Sequence, residues 1–218
     1  MRMRAVSEKA AKRREEVRVA GAPAEPDLAD LEWVGCHTRR MTTSEYDTYE
    51  GRIEFFDSRT EMAVFANEAA HLAHEGPRER LPMLLERIAM LRGSPIVCLG
   101  ESDIHRQFPE GHSRRIEADQ LVFLNPAALD QVGPFFLIAG DEEPKPDVVL
   151  EVDNTTDTRR NRVILYEAWG FPEVWVEVPS AYAPSRPRGL RSGLRIYLME
   201  EGGYVPAEES RALPTWRA

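Results

Sequence analysis

PDVVLEVD, residues 146–153, sets four apolar residues and three acids on one short stretch. Val148, Val149, Leu150 and Val152 read as an interior strand covered on both faces. Asp147, Glu151 and Asp153 fall at odd positions, so the alternation of a strand puts all three on the same side. Burying one unpaired carboxylate costs several kcal/mol, and three together cost more. That side is therefore either wet or turned toward positive charge.

The flanking sequence supplies the setting. TDTRRNRVILYEAWG (156–170) predicts a helix with Thr156 or Asp157 as cap and Gly170 as exit. PEVWVEV (172–178) alternates strictly and is the next strand. Upstream, SPIVCLGESDIHR (94–106) runs toward a turn at PEGH (109–112), and RRIEADQLVFL (114–124) is the strand that follows. Leu81, Leu84, Leu85, Ile88 and Leu91 recur at helical spacing across 77–92, a helix stopped by Gly93, with Met83 and Met90 read as core filling. RIEFFDSRTEMAVFA (52–66) reads as two short strands around Asp57–Ser58, and LRIYLMEEGGYVPA (194–207) as a hairpin turning at Gly202–Gly203.

From residue 77 the order is helix, three strands, helix, strand. That predicts an α/β fold: a mixed β-sheet flanked by helices, with N-terminal and C-terminal hairpins. Residues 1–40, which open with the charged run SEKAAKRREEVR, read as a partly flexible N-terminal arm, and 41–218 as a single domain. A Pro-, Ser- and Arg-rich linker spans 179–192, and its Arg186, Arg188 and Arg191, with Arg195 beyond it, read more readily as solvated than as a DNA-facing strip.

With 218 residues, 42% of them hydrophobic and 30% charged, the chain can bury a core and is not disordered by composition. A net charge of −9 argues against a general polyanion binder. No apolar run approaches the roughly 20 residues of a membrane span, and no apolar segment follows the N-terminus. Cys36 and Cys98 are far apart and form no CxxC. A reduced, cytoplasmic protein without a membrane segment is expected. Lys9, Lys12 and Lys145 are its only lysines.

Strand geometry decides which acids could share an ion. Magnesium takes oxygen ligands at about 2.1 Å. Asp147 and Glu151 lie about 13 Å apart along their strand, whereas Glu151 and Asp153 are about 6.6 Å apart on one face. If 114–124 and 146–152 pair as antiparallel neighbours, opposed residues have Cβ atoms about 5 Å apart. Asp119 with Glu151 is then the favoured pair, with Asp153 a feasible third ligand. His71, His105 and His112 have no metal-ligand spacing, and Tyr166, Trp169 and Trp175 read as core.

Across residues 40–210 the chain resembles the PD-(D/E)XK nuclease superfamily, and within it a bacterial restriction endonuclease family. The resemblance is carried by the hairpin IEFFDS, AHEGPRERL with His74, and DIHRQFPEGHSRRIEADQLVF, where Ala118–Asp119 stands for Pro-Asp. PDVVLEV, the Thr-Asp-Arg-Arg helix and YEAWGFPEVWVEVP complete it. It implies a restriction-endonuclease-like core and Mg²⁺- or Mn²⁺-dependent hydrolysis of DNA phosphodiester bonds by a homodimer. Asp119 and Glu151 become metal ligands, Glu54 a further acid and His74 a catalytic candidate. The distance along the strand keeps Asp147 at the rim, and the position of Arg159 and Arg160 beside the acid strand favours phosphate contacts over a solvated helix face.

The superfamily pattern places Lys two residues after the Glu, where this chain has Asp153. Relatives in this branch supply the Lys from the next helix, near Arg162. An arginine holds phosphate but stays protonated and cannot act as a base. If the metal activates the water, Arg162 suffices as electrostatic support. If the Lys is indispensable, the protein binds DNA without cutting it or serves as a scaffold. A third alternative is an interaction protein whose acids form ion pairs.

Overall fold

The computed structural model describes residues 25–67, 72–131, 137–138, 144–153, 157–179 and 192–214. It is a mixed, mostly antiparallel sheet with few helices. The strands are β1 (Cys36–Arg40), β2 (Phe55–Asp57), β3 (Met62–Ala66), β4 (Val97–Gln107), β5 (Ser113–Phe123), β6 (Leu137–Ile138), β7 (Val148–Val152), β8 (Glu173–Val178), β9 (Gly193–Glu200) and β10 (Gly203–Ala207). The helices are α1 (Thr43–Asp47), α2 (Leu72–Arg92) and α3 (Arg162–Ala168). Among the described residues no helix is long and apolar enough to cross a membrane.

The sheet runs β1-β3-β2-β5-β7-β8-β9-β10, with β4 on the other edge of β5. β5 is the organising strand. β4 follows it along almost its whole length, whereas its opposite edge is divided. β2 takes Arg114–Ile116 and β7 takes Gln120–Val122. Between them lie Glu117, Ala118 and Asp119, where the two partner strands part. This fork is the architectural feature that matters below.

The core lies on both faces. Phe55, Ile116, Leu121, Val149, Tyr166 and Trp169 pack on one side, and Leu85, Val122, Val148, Leu150 and Trp175 on the other, beneath α2. All five residues of β7 are buried, so its acid-bearing side is not wet.

Several expectations are corrected. Residues 25–40 are not merely an arm, because β1 pairs with β3 in register Cys36↔Ala66 and Leu31 is buried. The helix expected from Pro77 begins at Leu72, so Pro77 and Pro82 lie inside it. Pro82 has no N–H for the carbonyl of Arg78, and Gln120 Nε2 donates to that oxygen at 3.5 Å. Met83 and Met90 are not core: they are 65% and 81% exposed, because α2 turns Leu85 and Ala89 to the sheet instead. Gly93, at φ +65°, ends the helix as expected.

The helix expected over 156–170 is divided. A 3-10 turn, Thr158–Arg160, precedes α3, and the break is at Asn161 (φ −146°, ψ −85°). The Asn161 side chain explains the break. Its Oδ1 accepts from the N–H of Arg162 at 2.6 Å, and its Nδ2 donates to the carbonyl of Glu32 at 2.9 Å. Gly170, at φ +69°, closes α3. Thr156, Arg186, Arg188, Arg191 and His71 lie outside the described residues.

Candidate functional site

The β5 fork assembles the acids. The β5–β7 ladder ends at Gln120↔Leu150, and Asp119 and Glu151 are the next residues of the two strands. The β2–β5 ladder ends at Phe55↔Ile116, and Glu54 and Arg52 lie in the segment just before β2. The two strands expected to pair do so antiparallel, and Asp119 and Glu151 stand at the end of their ladder. Both are 0% exposed and Glu54 is 6% exposed.

α3 delivers the other half of the site. Arg162 and Tyr166 are four residues apart, so one helical face carries both toward the fork. Arg162 bridges Glu54 Oε2 and Glu151 Oε2 with its two terminal nitrogens. Tyr166 donates its hydroxyl to Glu151 Oε1 at 2.5 Å. From the segment leading into β2, Arg52 donates to Glu54 Oε1 at 2.9 Å and to Asp119 Oδ1 at 2.8 Å. The last oxygen, Asp119 Oδ2, accepts from the N–H of Val152 at 2.7 Å. Both oxygens of Asp119 and of Glu151 thus have hydrogen-bond donors, and Glu54 is ion-paired with both Arg52 and Arg162.

Arg52 and Arg162 face Glu54, Asp119 and Glu151, Arg52 is also paired with Glu117 at 3.7 Å, and Asp153 is buried nearby, leaving an excess of negative charge. Its consequence falls on Glu151. Burial, then the negative charge of Asp119, push its carboxyl well above the usual range. Burial raises the Tyr166 hydroxyl, and the Glu151 charge raises it further, so it stays a donor. Burial, then the neighbouring Arg52, lower Arg162 to about 10.

The other expected residues have separate duties. Asp153 Oδ2 accepts from the N–H and hydroxyl of Thr158, both at 3.1 Å, and so anchors the 3-10 turn. Asp147 caps the far end of the β5–β7 pair by accepting from the N–H of Leu124 at 2.7 Å, consistent with a rim position. Arg159 grips Asp157 with two bonds of 2.7 and 2.6 Å, and Arg160 pairs with Glu32. His74 is carried by α2, and its side chain lies outside the described residues. A cleft of about 950 Å³ at the other end of β2, lined by Asp57, Arg59, Phe108, His112 and Arg114, contains none of the three acids.

Arg52 was not among the expected site residues. The signal available was its spacing, two residues before Glu54. Tyr166 reads as core and is core, but its hydroxyl also serves the site. Its sign is the four-residue interval from Arg162.

Does the cluster fit a divalent ion? Its donor chemistry does, since hard carboxylate oxygens on adjacent strands are what magnesium takes. Its arrangement does not, since guanidiniums, a hydroxyl and a backbone N–H already occupy those oxygens. Among the described residues, no three His, Cys, Asp or Glu side chains are disposed to hold one ion. No known protein family's sequence profile matches this chain, and no curated protein matches it.

Proposed function

We propose that this chain has the fold and acid constellation of a nuclease but works by binding DNA rather than by cutting it. The observation that carries this reading is the bridge from Arg162 to both Glu54 and Glu151. A guanidinium there supplies the positive charge that a divalent cation supplies in a metal-dependent site. It also stands at the helix position where the resemblance calls for a lysine. Unlike a metal it cannot acidify a water, and unlike a neutral lysine it cannot take a proton. The cluster then ties β2, β5, β7 and α3 together.

DNA as the partner, and a homodimeric state, rest on the resemblance across residues 40–210. Arg159 and Arg160 already have Asp157 and Glu32 as counter-ions, and the chain carries −9 overall. Both facts favour weak, salt-sensitive binding.

A second reading, Mg²⁺- or Mn²⁺-dependent cleavage, is favoured by the position of Asp119 and Glu151 at the end of the β5–β7 ladder. In that case Asp119 and Glu151, with Glu54 beside them, would hold the ion, which supplies water acidity and charge neutralisation when bound. Both guanidiniums would have to leave. The Arg52 side chain is 26% exposed and has a way out, whereas that of Arg162 is 4% exposed.

Incubation of supercoiled plasmid with Mg²⁺ or Mn²⁺ separates the two, using wild type, Glu151→Ala and Arg162→Lys. We expect wild type to leave the plasmid intact. Metal-dependent nicking by wild type that disappears in Glu151→Ala would overturn the proposal in favour of the second reading. Cleavage gained only in Arg162→Lys would support a lapsed enzyme.

A further inference from the structure

α2 contains a heptad repeated once, ERLPMLL (79–85) and ERIAMLR (86–92). Pro82, Leu85 and Ala89 are buried on its inner side. On the outer side Met83 and Met90 form an apolar row, 65% and 81% exposed. At 3.6 residues per turn, Glu79 and Glu86 run about 40° to one side of this row, and Arg80 and Arg87 about 60° to the other. Leu84 and Leu91, also exposed, lie beyond the arginines.

These four charges are exposed and have no mates within the helix. The positions three and four residues from each hold no opposite charge. None of the four forms an ion pair with another described residue. An apolar row flanked by an acidic row and a basic row, each unmatched, is the pattern of a helix that pairs with a copy of itself.

The orientation follows from the order of the rows. A two-fold axis crossing the helices makes them antiparallel, and each row then meets itself, glutamate against glutamate. A two-fold axis running along the helices makes them parallel and exchanges left with right. The glutamate row of each copy then meets the arginine row of the other, and the methionines meet on the axis. We propose that the outer face of α2 is the docking surface for a second copy of this chain, with the two helices parallel.

The proposal concerns a surface separate from the acid cluster and stands whether or not the protein cuts DNA. Sedimentation of the full chain over a concentration series tests it, with Glu79→Arg/Glu86→Arg and Arg80→Glu/Arg87→Glu as variants. Wild type is expected to double in mass as concentration rises. Each variant alone, with like charges facing, should sediment as a monomer, at least tenfold weaker in association. An equimolar mixture of the two should recover the dimer.

A wild type that stays monomeric throughout, or a dimer indifferent to both reversals, overturns the proposal. A mixture that fails to associate overturns the parallel register. If either reversal proves poorly folded, Met83→Cys in a Cys36→Ser/Cys98→Ser background tests the same geometry with its charges intact. Oxidation should join two copies through Cys at 83, and absence of that crosslink contradicts the pairing.

Discussion

At the β5 fork, Glu54, Asp119 and Glu151 are at most 6% exposed, and each is paired with a guanidinium. On the outer face of α2, Glu79, Arg80, Glu86 and Arg87 are exposed and have no mate three or four residues away. The difference is set by solvent. A buried charge without a counter-charge costs several kcal/mol, so each of these buried carboxylates faces a guanidinium. An exposed charge is already solvated, and leaving it unmatched costs little. Complete pairing therefore marks what holds this fold, and unmatched order on the surface marks what it offers to a partner.

The largest effect expected from breaking the comparison is at Arg162. Arg162→Ala removes the guanidinium paired with buried Glu151 and one of the two at Glu54, and should destabilise the protein by about 3–5 kcal/mol, measured by urea unfolding. Adding Glu151→Gln should recover part of that loss, because one stranded charge is removed. Tyr166→Phe keeps the ring packing and removes only the hydroxyl donated to Glu151. A smaller loss, about 1.5–3 kcal/mol, is expected from the same measurement.

The next effect is in pH dependence. Folded Glu151 holds its proton more tightly than the unfolded chain, whose ordinary value is 4.5. Its contribution to stability is full below pH 4.5 and is lost as pH rises through the raised folded value. Unfolding free energy of wild type should therefore fall across that range relative to Glu151→Gln, by at most about 1.4 kcal/mol per pH unit. A parallel pair of profiles would contradict a raised Glu151 carboxyl. The smallest effect is on the surface: Met83→Ala should change stability by less than about 0.5 kcal/mol. Its consequence should appear in association alone.

Much of the fork is legible in the sequence. Alternation in PDVVLEVD fixes Glu151 on the side opposite its apolar neighbours, and antiparallel pairing with 114–124 brings Asp119 to the same end of their ladder. The positive charge that this side demands is also there to be read, in Arg162. Arg52 is harder to find, since its bond to Asp119 depends on β2 and β7 sharing one edge of β5. That long-range choice leaves no trace in local periodicity.

The helices show two different limits. Periodicity in 77–92 reveals more than one apolar row but not which row meets the sheet, and Met83 and Met90 turn out to be the outer one. The break at Asn161 depends on its bond to the Glu32 carbonyl, a segment that reads as an arm. Tyr166 illustrates a third case, a residue whose ring is core and whose hydroxyl belongs to the site.

The most direct test of the claim that Arg162 stands in for a cation is calorimetric titration of Mn²⁺ into wild type, Arg162→Gln and Arg162→Gln/Glu151→Gln. The account predicts no binding by wild type, saturable binding by Arg162→Gln, and its loss in the double variant. Saturable binding of Mn²⁺ by wild type that is abolished by Glu151→Gln alone would contradict it.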